Sequence, residues 1–552
     1  MNFEIRHNHV GYAPQGPKHF LFAVTGDVSS LRELHFEIRD GVGSGGYFGT
    51  LTSKGFCEYT AETIYEGDFS DFRQPGTYKI YVEIDGLLKI ESHSFEIAEN
   101  WLHRELASTL KSFYYQRSGV ELTSDRAGKW ARPASHLDDN IAFHPSMNRE
   151  GFWNAHGGWY DAGDYGKYIV NGGVSVGTLL MAAEFASDNL KASGNDSFFD
   201  AGSFRANLLE ELRFELEFFL RMQDTDGGVF FKVSPIRWDG FVSPAQSDAN
   251  QKRQILGKST TSTLNFAGAL AQAHHVFAHV YPSFANQCLK AAERAYQWAV
   301  ANPDVTYPHN TEGSGGYGDE HYDDEFFWAR AMLYRETQTS ATLDASELRK
   351  QLLKDMEANP AFLGLSWRDT QNFGWIALAL QNFDMDLQKI ARQTLENIAK
   401  QILELSAEDA YGIAVCKFVW GSNGEIANHA LTLLLVNTWA PSASLTNCAT
   451  QMLDFIYGKN PVNKCFVTGA AWSSPKFPHH RMSHSDGIEE PIPGLVVGGI
   501  NNDRQDMHRF PHYPGALPGF AYTDERCSFA SNETAINWNA PLVAVLSFLA
   551  QL

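Results

Sequence analysis

Thr77-Tyr78-Lys79-Ile80-Tyr81-Val82-Glu83-Ile84 decides the first part of the fold. The run is rich in β-branched and aromatic residues, and its apolar positions alternate, as in a half-buried strand. Asp85-Gly86 follows and is a strong hairpin signal, so Leu87 to Ile97 reads as the returning strand. Upstream, Phe20–Val24 and Leu34–Ile38 are each followed by a Gly-containing turn and fit the same plan. Several short strands in the first 97 residues predict a β-sandwich of immunoglobulin type. At Glu99-Asn100-Trp101 the apolar spacing turns helical. Twelve helices are expected, starting near positions 101, 171, 204, 261, 283, 321, 344, 370, 385, 423, 444 and 532. Leu208, Leu209, Leu212, Leu216 and Phe219 show the stripe that one helix buries against a core. Twelve helices around one core predict an all-α (α/α)6 barrel. The expected domains are a sandwich over 1–97 and a barrel over 98–552. Gly/Pro-rich stretches at 120–170 and 460–530 are long for loops in a compact domain, and long loops often carry function. They are expected to build a cleft at one end of the barrel.

The composition is that of a soluble globular protein: 43% hydrophobic and 20% charged residues in a chain of 552. The formal charge of −21 argues against a surface for nucleic acid. No run of 18 apolar residues suggests a membrane span. The start, Met-Asn-Phe-Glu-Ile-Arg-His-Asn-His, has no apolar signal core, which sets the expectation of a cytoplasmic protein. Cys57, Cys288, Cys416, Cys448, Cys465 and Cys527 are scattered without CxxC spacing and read as reduced thiols.

Two motifs carry the chemistry. Gly157-Gly158-Trp159-Tyr160-Asp161-Ala162-Gly163-Asp164-Tyr165-Gly166 places two carboxylates in a tight Gly-rich loop. Like charges that close raise the proton affinity of at least one member, so one can act as a base while the other orients water. The competing reading is a turn in which Asp bonds its own backbone. Far along the chain come Tyr522-Thr523-Asp524 and Phe529-Ala530-Ser531-Asn532-Glu533-Thr534-Ala535, ending at Trp538-Asn539-Ala540. Glu533 precedes an apolar run, with Ser531 or Asn532 as a helix cap, and the competing reading is a first-turn Glu that complements the helix dipole. Carboxyl groups on opposite sides of one sugar are what cleavage of a glycosidic bond requires.

Pro478-His479-His480-Arg481 adds donors for sugar hydroxyls or a carboxylate. A metal site is the rival there, since His484, His508 and His512 are near, but no HExxH-type pair supports it. Thr311-Glu312-Gly313-Ser314-Gly315-Gly316-Tyr317-Gly318-Asp319 offers carbonyls and carboxylates for a structural calcium ion, without EF-hand spacing.

Together these features resemble glycoside hydrolase family 9, with the immunoglobulin-like domain often found before its catalytic domain. The resemblance covers essentially the whole chain. It rests on the two motifs above and on Phe113-Tyr114-Tyr115-Gln116-Arg117-Ser118-Gly119, Asp324-Glu325-Phe326-Phe327-Trp328-Ala329, Trp420-Gly421-Ser422-Asn423 and His479-His480-Arg481, in family order. It implies an inverting hydrolase that needs no cofactor. By motif, Glu533 is the general acid, Asp164 the general base and Asp161 a positioner of the attacking water. His479, His480 and Arg481 bind in the glycone subsite, and Trp159, Tyr160, Trp328 and Phe529 are carried over as further substrate-binding residues. An inverting pair lies roughly 6.5–9.5 Å apart, and its acid needs a raised pKa from burial or neighbouring carboxylates, with Asp524 a candidate neighbour.

The chain departs from the family pattern after Val467-Thr468-Gly469, where Ala470, Ala471 and Trp472 follow, so the sugar wall is expected to differ there. Phe529 stands where many relatives have Tyr. A cytoplasmic member would act on short imported oligosaccharides. The negative charge and the loop Ser135-His136-Leu137-Asp138-Asp139 suit a cationic glucosamine, with Asp139 contacting its amine. The expectation is therefore an exo-β-D-glucosaminidase that removes glucosamine from the non-reducing end of chitosan oligosaccharides. The alternatives are a β-glucosidase or cellodextrinase, or an endo-β-1,4-glucanase, on cello-oligosaccharides. More remote is a non-catalytic carbohydrate-binding protein, which loss of Asp164 or Glu533 would have favoured. The expected partner is a small oligosaccharide, not nucleic acid or membrane, and the oligomeric state is open. All 13 Trp lie at or after Trp101, so the N-terminal domain reads as structural support without a sugar platform.

Overall fold

A computed structural model describes residues 2–28, 31, 34–41, 45–84, 88–191, 202–307, 312–338, 340 and 342–552. The first unit is built from β1 (Asn2–Arg6), β2 (His19–Thr25), β3 (Leu34–Asp40), β4 (Gly45–Thr50), β5 (Thr52–Cys57), β6 (Glu62–Asp68), β7 (Gly76–Ile84), β8 (Leu88–Glu91) and β9 (Phe95–Ile97). One sheet has the order β1-β2-β6-β5, and the other β4-β3-β7-β8 with β9 also on β7. Along β7, Tyr78, Ile80, Val82 and Ile84 point inward while Thr77 and Glu83 face water, the period-2 pattern of a sandwich strand. The Asp85-Gly86 turn lies outside the described residues. The returning chain is two strands, β8 and β9, each antiparallel to β7.

Strand β2 is apolar on both faces, and the fold uses both. Phe20, Phe22 and Val24 fill the sandwich. Leu21 and Ala23 point the other way and, with Val10, Cys57 and Ile64, join the core of the helical domain. Polar groups are matched across the same seam. Arg6, paired with Glu62 at 2.7 Å inside the sandwich, donates across the seam to the Tyr411 hydroxyl. Asn8 donates to Asp454 Oδ1 at 2.8 Å, and Tyr59 to Asp409 Oδ2 at 2.9 Å.

The helical unit contains α1 (Trp101–Tyr115), α2 (Ser124–Ala127), α3 (Ile169–Phe185), α4 (Phe204–Met222), α5 (Pro244–Asn250), α6 (Thr260–Phe277), α7 (Pro282–Ala301), α8 (Asp323–Arg335), α9 (Ala345–Ala358), α10 (Gln371–Leu380), α11 (Met385–Glu408), α12 (Ser422–Asn437), α13 (Ala443–Ile456), α14 (Phe529–Asn532) and α15 (Ile536–Leu549). Setting aside the short α2, α5 and α14, these form two concentric rings. The inner neighbours run α12, α15, α3, α6, α8, α10, and the outer helices α13, α1, α4, α7, α9 and α11 pack one on each. Inner helices are apolar nearly all round: in α6 only His275 escapes burial. Outer helices are amphipathic: α11 buries Leu387, Ala391, Leu395, Ile398 and Ile402 on one face. This is the (α/α)6 barrel.

A five-stranded sheet lies beside the barrel mouth, and the apolar pattern had not suggested it. Its strands are β10 (Ile141–Phe143), β11 (Phe152–Trp153), β12 (Lys167–Tyr168), β13 (Phe230–Pro235) and β14 (Arg253–Lys258), in the order β11-β10-β14-β13-β12. It ties the long 120–170 stretch to the connections after α4 and α5. All six cysteines are free thiols; Cys57, Cys288 and Cys465 are buried and Cys416 is exposed. No helix among the described residues is long and apolar enough to cross a membrane.

Candidate active site

The loop bearing Asp161 and Asp164 is held from behind. Gly157 and Gly158 turn the chain with φ of 81° and 80°, a region open to glycine. The turn drives Trp159 into the core, where its backbone N–H donates to Glu215 Oε2 at 2.6 Å and its Nε1 to Glu211 Oε1 at 2.8 Å. Tyr160 contacts His136 Nδ1 through its hydroxyl at 2.7 Å. The loop then closes on itself: Asp161 N donates to Gly166 O at 2.9 Å, and Gly166 N to Asp164 Oδ1 at 2.8 Å. The backbone-bonded turn is therefore real for Asp164, and it uses one of the two carboxylate oxygens.

Asp161 is gripped on both oxygens, by Asn171 Nδ2 at 2.7 Å and by the Tyr317 hydroxyl at 2.5 Å. Burial still pushes its carboxyl up to about 7, helped by the charge of Asp164 and resisted by those two hydrogen bonds.

Glu533 lies in an extended link between α14 and α15, with φ −72° and ψ 153°. This corrects two expectations. Glu533 is not in a helix first turn, because α15 starts at Ile536; and neither Ser531 nor Asn532 caps a helix. Asn532 instead binds Tyr522, Phe477 O and Asp524, and Ser531 meets Ser528. The extended backbone lets Glu533 pair with its surroundings as a strand would. His479 N donates to Asn532 O, and Gly498 N to Glu533 O, each at 2.8 Å. Ile536 N reaches Asp161 O at 2.9 Å, joining the two motifs directly.

Gly163 is where they touch. A Cβ there would lie 2.0 Å from His479 O and 3.3 Å from Glu533 Oε1, so only glycine admits the approach. Its N–H bonds the Glu533 carboxyl. Its carbonyl accepts from Arg481 N at 3.0 Å and Arg481 Nη1 at 2.9 Å. Burial, then Asp164 and Asp161, hold the Glu533 carboxyl well above the usual range, while Arg481 pulls the other way. Asp524 is not the neighbour responsible: its oxygens accept from Lys476 N and Phe477 N at 2.8 and 2.9 Å and pin the histidine loop.

The remaining candidates divide by burial. Trp328 has no exposed surface and stacks on Phe373 with ring centroids 4.5 Å apart. Trp159 and Tyr160 are buried too, so all three support the site from within and none is a platform for a sugar. His480 is also buried, between Ser483 and Gln116 Oε1, and acts as a brace. These placements correct the substrate-binding expectation for those four residues. His479 is half-buried; its Nδ1 faces Arg526 O at 2.7 Å, and burial lowers its pKa to about 4. It is thus neutral with the proton on Nδ1, which leaves Nε2 as an acceptor. Arg481 spends its donors on the carbonyls of Gly163 and Asp239. Phe529 is half-buried, with Trp420 at 5.4 Å, His508 at 5.8 Å and His479 at 6.1 Å between ring centroids. Asp139 is exposed, and its neighbour Asp138 is the residue held, by Lys167 at 2.7 Å and Arg253 at 2.9 Å. Trp472 faces the sandwich, with ring centroids 3.7 Å from His93 and 4.8 Å from His9.

Neither metal reading is supported. The histidines end in separate hydrogen bonds: His484 on Pro478 O, His512 on Glu525. Among the described residues no group of three or more His, Cys, Asp or Glu is placed to hold a metal ion. In the proposed calcium loop Thr311 lies outside the described residues, and the carbonyl of Gly315 already accepts from the ammonium of Lys232 at 2.9 Å. Sequence reasoning missed Asn171, Tyr317 and Lys232, none of which sits in a carboxylate motif. It also missed the rings of the wall, the exposed Trp238 and the half-buried Phe241, near which Arg481 lies at 5.8 and 6.0 Å.

Comparisons with known proteins agree with this architecture. Residues 103–546 match "Glycosyl hydrolase family 9", and residues 2–86 match "Cellulase N-terminal ig-like domain". A xyloglucan-specific endo-β-1,4-glucanase of Bacteroides ovatus is 34% identical over 100% of this chain and 94% of its own. A cellodextrinase of Butyrivibrio fibrisolvens is 28% identical over 98% of both chains. Among solved structures, a thermostable endoglucanase from Alicyclobacillus acidocaldarius superposes with a TM-score of 0.88 at 29% identity, covering 100% of both chains. The chain belongs to glycosyl hydrolase family 9 and is an inverting, cellulase-like glycoside hydrolase preceded by an immunoglobulin-like domain.

Proposed function

We propose that this enzyme cleaves β-1,4-linked glucose oligosaccharides, with Glu533 as general acid, Asp164 as general base and Asp161 orienting the attacking water. The observation that carries the assignment is the contact at Gly163, which sets the carboxyl of Glu533 against the loop holding both aspartates. A buried carboxyl near two others stays protonated at neutral pH and can give its proton to the departing glycosidic oxygen. Asp164, with one oxygen bound by its own turn, takes a proton from water on the opposite face of the sugar. That displacement inverts the anomeric centre in a single step. Neutral His479 accepts from a sugar hydroxyl through Nε2. The half-buried Phe529 and the exposed Trp420 and Trp238 offer ring faces to the sugar chain.

The glucan substrate is favoured over glucosamine. Relatives that span this chain nearly end to end are named for β-1,4-glucanase and cellodextrinase activity. Asp139, on which an amine contact rested, is exposed and away from the buried ion pairs of its loop. The test is product release from cellotetraose and from glucosamine tetramer by the wild type and by Glu533→Gln and Asp164→Asn. Turnover of cellotetraose that either substitution removes is the expected result. Release from the glucosamine tetramer alone would overturn the substrate, and full activity in either variant would overturn the roles.

A further inference from the structure

Strand β13 carries a lysine that the chemistry above leaves unused. Lys232 has no exposed surface, and in the sheet register it stands directly opposite Tyr168, two residues past the end of the catalytic loop at Gly166. Its Nζ donates to Gly315 O at 2.9 Å and to Ser314 O and Oγ at 3.4 and 3.3 Å. Tyr168 donates its hydroxyl to the same Gly315 carbonyl at 2.7 Å. Ser314 presses on the catalytic turn: a Cβ at Gly166 would lie 3.0 Å from Ser314 Cβ. Two residues beyond Gly315, Tyr317 reaches Asp161. The ammonium thus fastens the segment that supplies Tyr317 to the back of the turn that supplies Asp164.

Burying an ammonium is costly unless its charge is used; a methionine of similar length would fill the space without that cost. The charged groups facing this one are Asp164 and Glu312, whose attraction opposes a burial that takes the amine down to about 8. That cost is offset where the ammonium sits, behind Asp164 and on two carbonyls of the segment that carries Tyr317.

We propose that Lys232 is a positioning residue of this hydrolase: its buried ammonium clamps Ser314 and Gly315 behind the catalytic turn and so sets Tyr317 on Asp161. The proposal rests on the reading of Asp161 as the residue that orients the attacking water. Without the ammonium the Gly315 segment is released, and the attack slows while the sugar still binds.

The experiment measures kcat and KM on cellotetraose, with melting temperature, for the wild type, Lys232→Met, Lys232→Gln, Lys232→Arg, Tyr317→Phe and the double variant Lys232→Gln with Tyr317→Phe, with Asp161→Asn alongside. Gln keeps a neutral donor toward Gly315, and it decides the matter if Met does not fold. The expected result is kcat lowered about tenfold with KM little changed in Gln and Met, recovery in Arg, and a double variant no slower than Tyr317→Phe alone. An unaltered Lys232→Gln, or losses that multiply in the double variant, would overturn the proposal while leaving the role of Asp161 standing. Full activity in Asp161→Asn would remove that role, and the proposal with it.

Discussion

The hydroxyl of Tyr317 donates to Asp161 Oδ2 at 2.5 Å, while Asn171 holds Oδ1 at 2.7 Å. A carboxylate gripped from two sides has one orientation, as the positioner of a water must. Both hydrogen bonds also favour the ionised form against burial. Tyr317→Phe should therefore leave the fold intact, free Oδ2 and let the Asp161 carboxyl rise further above about 7. The expected outcome is kcat lowered about tenfold on cellotetraose with KM little changed, since the bond orders the attack and not the sugar. A raised KM with kcat intact would place Tyr317 in substrate binding instead.

Two aromatic residues with similar sequence credentials separate by burial. Trp328 is sealed in the barrel and Phe529 stands at the cleft wall. Trp328→Ala should cost about 3–5 kcal/mol of stability, the price of a large core cavity. Phe529→Ala should leave the melting temperature almost unmoved and raise KM several-fold. Thermal melts with Michaelis kinetics on the two variants check this, and the reverse pairing would refute the placement.

The sandwich shares a core with the barrel through Leu21, Ala23 and Ile64, and its Arg6–Glu62 pair meets the barrel at the Tyr411 hydroxyl. A chain starting near Asn100 should be poorly soluble, because it exposes the apolar seam. Arg6→Ala in the full-length protein leaves Glu62 buried and unpaired, an expected loss of about 3 kcal/mol. Replacing both residues, as Arg6→Met with Glu62→Leu, should recover most of that. Denaturant titration of the three proteins tests the account, and a soluble, active truncation would contradict it.

His9 lies in the same seam, against Ser473 and Asn463. Burial and then the neighbouring His7 lower its pKa to about 2. A depressed histidine stays neutral in the fold and takes up a proton when unfolded below about 6.5. Its contribution is therefore intact above that pH and shrinks as pH falls toward the folded value, by about 3 kcal/mol at pH 4. His9→Gln cannot titrate, so it should lose less melting temperature than the wild type between pH 7 and pH 4. Equal losses would show that His9 does not titrate as described.

Much of this was readable in the residues. Tyr78, Ile80, Val82 and Ile84 announce a strand by alternation, and Leu208, Leu212 and Leu216 announce a helix, because each burial face imposes its own period. The small sheet was not readable. Phe152–Trp153 and Lys167–Tyr168 are two residues long, too short for any period. Phe230–Pro235 is buried throughout, so its lysine broke no visible pattern. The carboxylates were legible because spacing and glycines constrain them. The aromatics beside them were not, since Trp159 and Phe529 have the same chemistry and only the fold decides which one meets water.

The most direct test of the central claim is a proton NMR time course of cellotetraose hydrolysis by the wild-type enzyme, with Glu533→Gln as control. The account predicts that the newly formed reducing end appears first as the α-anomer, followed by mutarotation, and that the control is silent. A β-anomer as first product, or turnover persisting in Glu533→Gln, would contradict it.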